Sequence, residues 1–357
     1  MATAAVAAFG IGLALRPVTH PRRAPEVAQV RNQLATRYYR TLPKQVLSKP
    51  TVHGLIGALH DRYTTYLTPS EFRVARRTSA GDYGGIGVTV LPATAGLVVR
   101  RTMRGPARVA GVLPGDTILT VDGASTAGLP FHEAMGRIIG RPGSSVTLRV
   151  LRGGRVLSFT LVRRKYRLHP VHWRMEDGVG VVKLDSFTRG SAAQTATAVR
   201  QLERNGARGI VLDLRGNPGG LLGQAVGLVS LFLRPGASVV SLAGAHEPLR
   251  IVYSKKGTAS TVPLVVLVDH DSASASEVVA GALKDHGRAT IVGTPTYGKS
   301  LVQEIVRLPS GGALKLTVAR YLTPAGVDIS RGGVQPDIRS RHALDVALGL
   351  FPPRSRS

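Results

Sequence analysis

The chain has 357 residues, enough for two or three domains with a sizeable buried core. Hydrophobic residues at 43% and charged residues at 19% describe a globular protein and exclude a disordered one, and the absence of cysteine excludes disulfides and thiolate chemistry. A formal charge of +26, from 47 Lys and Arg against 21 Asp and Glu, raises nucleic acid or an anionic membrane as partners, but the basic residues are scattered without a long run and aromatics are few, so no nucleic-acid partner is expected.

Ala2 to Leu15 is an uninterrupted run of small and apolar residues. At fourteen residues it is short for a membrane span and fits the core of an export signal or an anchor, although no basic residue precedes it and Arg16, Arg22 and Arg23 follow. Residues 1–25 are therefore read as a signal or anchor segment with a linker. The expectation is an extracytoplasmic protein, in the cell envelope or secreted, with membrane association through residues 2–15. Residues 26–80 read as a helical region, because Val30–Tyr39 and Thr51–Leu59 have helical apolar spacing. His53 and His60 show no metal spacing with neighbouring acids and read as structural.

Between residues 81 and 167, Gly84-Gly-Ile-Gly-Val88 precedes alternating strand patterns at Val88–Leu91 and Leu97–Arg101. Gly105 to Gly123 then supplies a short helix, a Pro-Gly turn and a strand ending in Asp122-Gly123. Gly-Gly-Ile-Gly alone would be a tight turn, but with Leu113-Pro-Gly-Asp116 and Val121-Asp-Gly123 the segment resembles a PDZ domain. In such a domain the backbone of Gly84, Gly85, Ile86 and Gly87 holds a C-terminal carboxylate, and Ile86 and Val88 line the pocket for the terminal side chain.

After Arg167 the pattern becomes α/β: a strand at Gly178–Leu184, an amphipathic helix from Ser191 to Gly206, a buried strand at Gly209–Leu214, then Arg215-Gly-Asn-Pro-Gly-Gly-Leu-Leu222 and a helix from Leu221 to Leu233. The apolar run Pro263–Val268 stops at Asp269-His-Asp271 and leads through Ser272-Ala-Ser-Ala-Ser276 into a helical pattern to His286. Ala289–Val292 follows, then Gly293-Thr-Pro-Thr-Tyr-Gly-Lys-Ser300. A serine at the strand-to-helix turn meets free N–H groups and the positive end of the helix dipole, which favour an oxyanion. Ser274 is the best placed, and Lys299 is the candidate base if an apolar site keeps its amine neutral.

Two other readings use the same residues. Ser274-Ala-Ser-Glu277 fits a capping box, and Gly293-x-x-x-x-Gly-Lys-Ser300 matches the P-loop pattern. A P-loop must open a helix, whereas Leu301–Leu308 is rich in aliphatic and β-branched residues and ends at Pro309-Ser-Gly-Gly312, so nucleotide binding is disfavoured.

Asp271–Asp285 with Gly293–Gln303 resembles the carboxyl-terminal processing (tail-specific) proteases, Ser-Lys peptidases whose chains carry a PDZ domain. The resemblance implies Ser274 as nucleophile, Lys299 as base and Gln303 as the residue that orients the lysine. It implies an oxyanion hole from the N–H of Ala275 and of Gly219 or Gly220, which the sequence does not separate. Ser300 stands where the family usually has glycine, and Ile139 stands before Gly140 where relatives often have an arginine, with Arg137 and Arg141 as nearby substitutes. Asp61–Phe72 resembles the segment that precedes the PDZ domain in this family, and Pro324–Asp337 its closing segment. Asp213 and Asp337 are tempting as triad acids, but a Ser-Lys pair needs none, and both are expected to hold backbone or arginine partners.

The expected fold is a multidomain α+β and α/β chain: a crotonase/ClpP-like β-β-α protease core over 168–345, an inserted PDZ domain over 81–167, N-terminal helices, and a basic tail at 346–357. The implied function is a serine endopeptidase that captures accessible, apolar C-termini of protein or peptide substrates and cleaves them through an acyl-enzyme, without metal or other cofactor; oligomerisation is left open. Two alternatives are a catalytically silent PDZ tether and a crotonase-like acyl-CoA enzyme, the latter lacking a recognisable CoA pocket in the sequence.

Overall fold

The computed structural model describes residues 25–351 except 62, 80–81, 130, 168–169, 247 and 256–259. The apolar run at 2–15 and the last six residues of the basic tail lie outside the described residues. Among those described, no helix is long and apolar enough to cross a membrane.

A six-stranded sheet forms the centre. Val171–Glu176 pairs antiparallel with Val179–Leu184, which begins a parallel series through Ile210–Asp213, Leu264–Val268, Thr290–Gly293 and Ile338–Arg339. Helices cover both faces, so the inner strands are apolar on both sides: every residue of Leu264–Val268 is buried. Val182, Leu184, Ile210, Leu212, Leu264 and Val266 face the helices Ser191–Arg204, Leu222–Val229 and Ala275–Asp285. Val179, Val181, Val211, Val265 and Leu267 face the helix Ala343–Gly349, which continues the packed core past residue 345.

A second, antiparallel sheet carries Ala313–Leu322 at its centre, flanked by Thr65–Leu67, Ser238–Ala243 and Leu301–Arg307, with Arg250–Tyr253 beyond. Leu314 and Leu316 on the central strand pack against Val30 and Leu34 of the helix Glu26–Arg37 and against Leu55 of Val52–Gly57. The N-terminal helices thus brace the strand whose Tyr321 reaches the turn at Ser274.

Residues 88–162 form a separate sheet with its own core, in the order Val88–Ala93, Gly96–Thr102, Thr117–Val121, Ser145–Arg152, Arg155–Val162. A ribbon of Asp82–Gly85 with Arg164–Arg167 joins its two ends. Val88–Ala93 is an edge strand, bonded only to Gly96–Thr102 among the described residues.

Candidate active site

Three loops leave the carboxyl ends of three adjacent parallel strands, where open α/β sheets place their ligands. They are Leu214–Leu221 after Ile210–Asp213, Asp269–Ser274 after Leu264–Val268, and Thr294–Ser300 after Thr290–Gly293. Together they bring Ser274, Ala275, Gly219, Gly220, Lys299 and Gln303 to one cleft of about 530 Å³.

Ser274 caps the helix Ala275–Asp285 with φ 57° and ψ −113°, a conformation that L-residues rarely adopt. Such a backbone costs about 1–3 kcal/mol and persists only where the surroundings enforce it; it lifts the side chain from a sharp strand-to-helix turn into the cleft. The neighbouring serines are held elsewhere. Ser272 Oγ donates to Leu214 O at 2.8 Å and Ser276 Oγ to Asn217 O at 2.9 Å, and both residues are fully buried. Of the three serines, only Ser274 lines the cleft.

Glu277 does more than a capping box requires. Fully buried, its carboxylate accepts from Ser274 N–H at 2.7 Å, Thr296 Oγ1 at 2.5 Å, Gly298 N–H at 2.7 Å, Lys299 N–H at 2.9 Å and Tyr321 Oη at 3.3 Å. One side chain therefore clamps the Lys299 loop to the Ser274 turn. Tyr321 also donates to Ser274 O at 3.1 Å, and its phenol is pushed well above its ordinary value, first by burial and then by Glu277.

The loop after Ile210–Asp213 is knitted to the same turn by Asn217. Its side-chain Nδ2 donates to Leu184 O at 2.8 Å and its backbone carbonyl accepts from Ala273 N–H at 3.0 Å. Asn217 Oδ1 accepts from Gly219 N–H at 2.9 Å, so that donor is engaged. The N–H groups of Gly220 and of Ala275 have no acceptor among the described residues. A Cβ on Gly219 would lie 2.6 Å from Ala273 O and 2.9 Å from Ala275 N, which shows how closely the two loops approach.

Lys299 Nζ stands 4.8 Å from the centre of the Tyr63 ring, a cation–π contact contributed by the N-terminal region. Gln303 lies beside a bulge in Leu301–Arg307, and its Nε2 is buried without a hydrogen-bond partner among the described residues. Ser300 is buried. Leu301–Arg307 is a strand, so the loop with the P-loop spacing opens no helix.

Asp213 bonds Arg215 at 2.8 Å and Asp337 accepts from Ile291 N–H at 2.8 Å and pairs with Lys284 at 2.8 Å. Burial pushes the Asp213 carboxyl up, but Arg215 and Lys183 outweigh it and hold it below the usual range. Neither acid lines the cleft.

On the PDZ sheet, Ile86 is 1% exposed and packs in the domain core, while Val88 is half-buried at its edge. Gly84 and Gly85 are buried within the ribbon, and Gly84 O accepts from Gly140 N–H at 2.9 Å. Gly87 has φ +81°, and a Cβ there would lie 2.5 Å from the Tyr166 hydroxyl, so Tyr166 stands over this loop. Behind Gly140 is not Arg137 or Arg141 but Arg163, 8% exposed, which donates to Ile138 O at 2.8 Å and Arg137 O at 2.8 Å and closes the helix Phe131–Ile138.

Residues 178–340 match Peptidase family S41, and residues 84–162 match the PDZ domain. A "Probable CtpA-like serine protease" of Staphylococcus haemolyticus is 32% identical over 318 residues, 88% of this chain and 64% of that one. A protein of the same description from Staphylococcus saprophyticus is 32% identical over 330 residues, 92% of this chain and 67% of that one. The chain thus spans about two thirds of the length of these curated relatives. Among solved structures, a photosystem II D1 C-terminal processing protease aligns with a TM-score of 0.64 at 31% identity, over 88% of this chain and 92% of that one. With a sequence relative at that identity and coverage, and both domains matched in their expected order, the chain belongs to peptidase family S41.

Proposed function

We propose that the chain is a serine endopeptidase of the Ser-Lys type. The observation that carries the reading is Ser274, held at a strained helix N-terminus in the same cleft as Lys299 and two unengaged N–H groups. The neutral Lys299 amine takes the proton of Ser274 Oγ, and Oγ attacks the scissile carbonyl carbon. The resulting oxyanion faces the N–H groups of Gly220 and Ala275, the donors that remain once Gly219 is bonded to Asn217. Lys299 then protonates the leaving amine nitrogen as the C–N bond breaks. Water hydrolyses the ester, with Lys299 as base again. The buried Gln303 Nε2, without a hydrogen-bond partner among the described residues, supports the role of orienting the lysine.

The free edge of Val88–Ala93 supports the reading that the PDZ domain takes up a C-terminal tail as an added strand. Half-buried Val88 favours an apolar last residue, while Ile86, inside the core, contributes its backbone and not its side chain. The apolar run at 2–15 supports work outside the cytoplasm, at or near a membrane, which fractionation of the tagged protein tests. The test of the chemistry is covalent labelling of Ser274 by a fluorophosphonate, with the labelled peptide identified by mass spectrometry. Labelling elsewhere, or none, refutes the assignment.

A further inference from the structure

The cleft holds a second lysine. Lys315 lies on Ala313–Leu322 opposite Ile305 of Leu301–Arg307 and lines the same wall as Gln303 and Tyr321. It is half-buried, and desolvation lowers the affinity of its amine for a proton, with Asp61 opposing. Among the described residues its ammonium has no hydrogen-bond or ion-pair partner.

Asp61, the acid that acts on Lys315 through space, is already engaged. It accepts from Thr64 Oγ1 at 2.6 Å, Thr317 Oγ1 at 2.7 Å, Tyr63 N–H at 2.9 Å and Tyr38 Oη at 3.2 Å. Glu277, behind Ser274, is fully buried and fully bonded. Among the described residues no Asp or Glu lines the cleft, and the basic lining groups are Lys299 and Lys315. A half-desolvated ammonium without a partner is costly unless something supplies one, and hydrogen bonds to charged groups are worth more than neutral ones. The unpartnered Nε2 of Gln303 is a second donor on the same wall.

We infer that Lys315 is a specificity-determining residue that binds a carboxylate of the substrate within the catalytic cleft. Ile305 follows Gln303 by two residues on its strand, a step of roughly 7 Å, so this subsite lies along the cleft wall from Gln303. The carboxylate comes either from an Asp or Glu side chain near the cut or from the chain terminus when the cut falls a few residues before it. The inference rests on the peptidase reading, and it names the substrate feature that reading leaves open.

The test uses quenched fluorescent peptides in which one Glu or Gln is walked through the positions flanking the cut, each with a free or an amidated C-terminus. Wild type, Lys315→Met and Lys315→Arg are compared by the ratio of kcat/KM for acidic over neutral peptides within each enzyme. Peptide affinity is measured in parallel on Ser274→Ala and Ser274→Ala with Lys315→Met, which requires no turnover. The expected result is a preference of about tenfold or more for the carboxylate at one register, abolished in Lys315→Met and retained in Lys315→Arg. A Glu preference that survives amidation identifies a side chain, and a preference lost on amidation identifies the terminus. No carboxylate preference in wild type, or one that persists in Lys315→Met, overturns the inference. Absent turnover with a Lys315-dependent affinity difference would instead count against the peptidase reading and uphold the subsite.

Discussion

Replacing Glu277 by Gln tests whether the clamp positions the chemistry. Oε1 accepts from Thr296 and Gly298, and Oε2 from Ser274, Lys299 and Tyr321. Gln keeps the shape but turns one oxygen into an NH₂ donor, so whichever way it lies, donors meet donors. The less damaging orientation directs NH₂ towards Thr296 and Gly298. The Thr296 hydroxyl already accepts from Val334 N–H at 2.7 Å, so it is poorly free to turn, and the Gly298 N–H is left without an acceptor. Losing two bonds to a buried carboxylate, at about 1.5–3 kcal/mol each, predicts a destabilisation of roughly 3–6 kcal/mol. If half of that appears as misplacement of Lys299 against Ser274, kcat/KM falls by about 10–10²-fold. Denaturant unfolding measures the first quantity and steady-state cleavage the second. A Gln variant with wild-type stability and wild-type kcat/KM would refute the clamp.

Three other outcomes follow from the same geometry. Ser272→Ala and Ser276→Ala each remove a buried hydroxyl bonded to a carbonyl, so each should lower stability by about 1–3 kcal/mol while keeping fluorophosphonate labelling, which Ser274→Ala abolishes; labelling lost equally in all three contradicts the choice of Ser274. Gly219→Ala and Gly220→Ala would put a Cβ 2.6 Å from Ala273 O and 2.4 Å from Phe187 O at positive φ, and both should fold poorly and fail to acylate. Gly216→Ala, at φ +70° but with nothing within 4 Å of its Cβ, should cost about 1–2 kcal/mol in melts. Burial pushes the Asp61 carboxyl up, but its hydrogen bonds from Thr64, Tyr63, Thr317 and Tyr38 outweigh this and hold it below the usual range. With its folded value below an unfolded value of about 3.9, Asp61 contributes stability above about pH 3.9 that is lost as pH falls through the folded value; Asp61→Asn should therefore destabilise the protein at pH 7 and progressively less as pH falls below about 3.9, and parallel stability–pH curves would refute this.

The central strands, the helix after Ser274 and the strand after Ser300 were legible because each is a local pattern: a run such as Leu264–Val268 can only be buried, and Leu301–Arg307 carries too many β-branched residues for a P-loop helix. Ser274 stands out in the sequence by its place in the turn, and the Ser272 and Ser276 hydroxyls are engaged by backbone carbonyls. What local pattern could not carry was contact between distant segments. Glu277 reads as a helix cap, yet most of its partners lie 19 to 44 residues away. Tyr63 comes to Lys299 from a region that reads as scaffold, and Lys315 comes to the cleft from a strand whose two faces differ only in three dimensions. The proposal of Gly220 over Gly219 as oxyanion donor rests on the Asn217 side chain taking the Gly219 N–H, a contact that no local pattern carries. Ile86 sits in the core because the ribbon Asp82–Gly85 with Arg164–Arg167 fixes the loop's direction, a pairing across about 80 residues.

The most direct measurement is cleavage of a model protein ending in a short apolar tail by wild type, Ser274→Ala and Lys299→Ala. Nucleophile and base act as one unit, so each variant should lose activity by roughly 10³-fold or more, while stability changes little. Cleavage that survives in Ser274→Ala would contradict the Ser-Lys assignment and return Ser274 to the role of a helix cap.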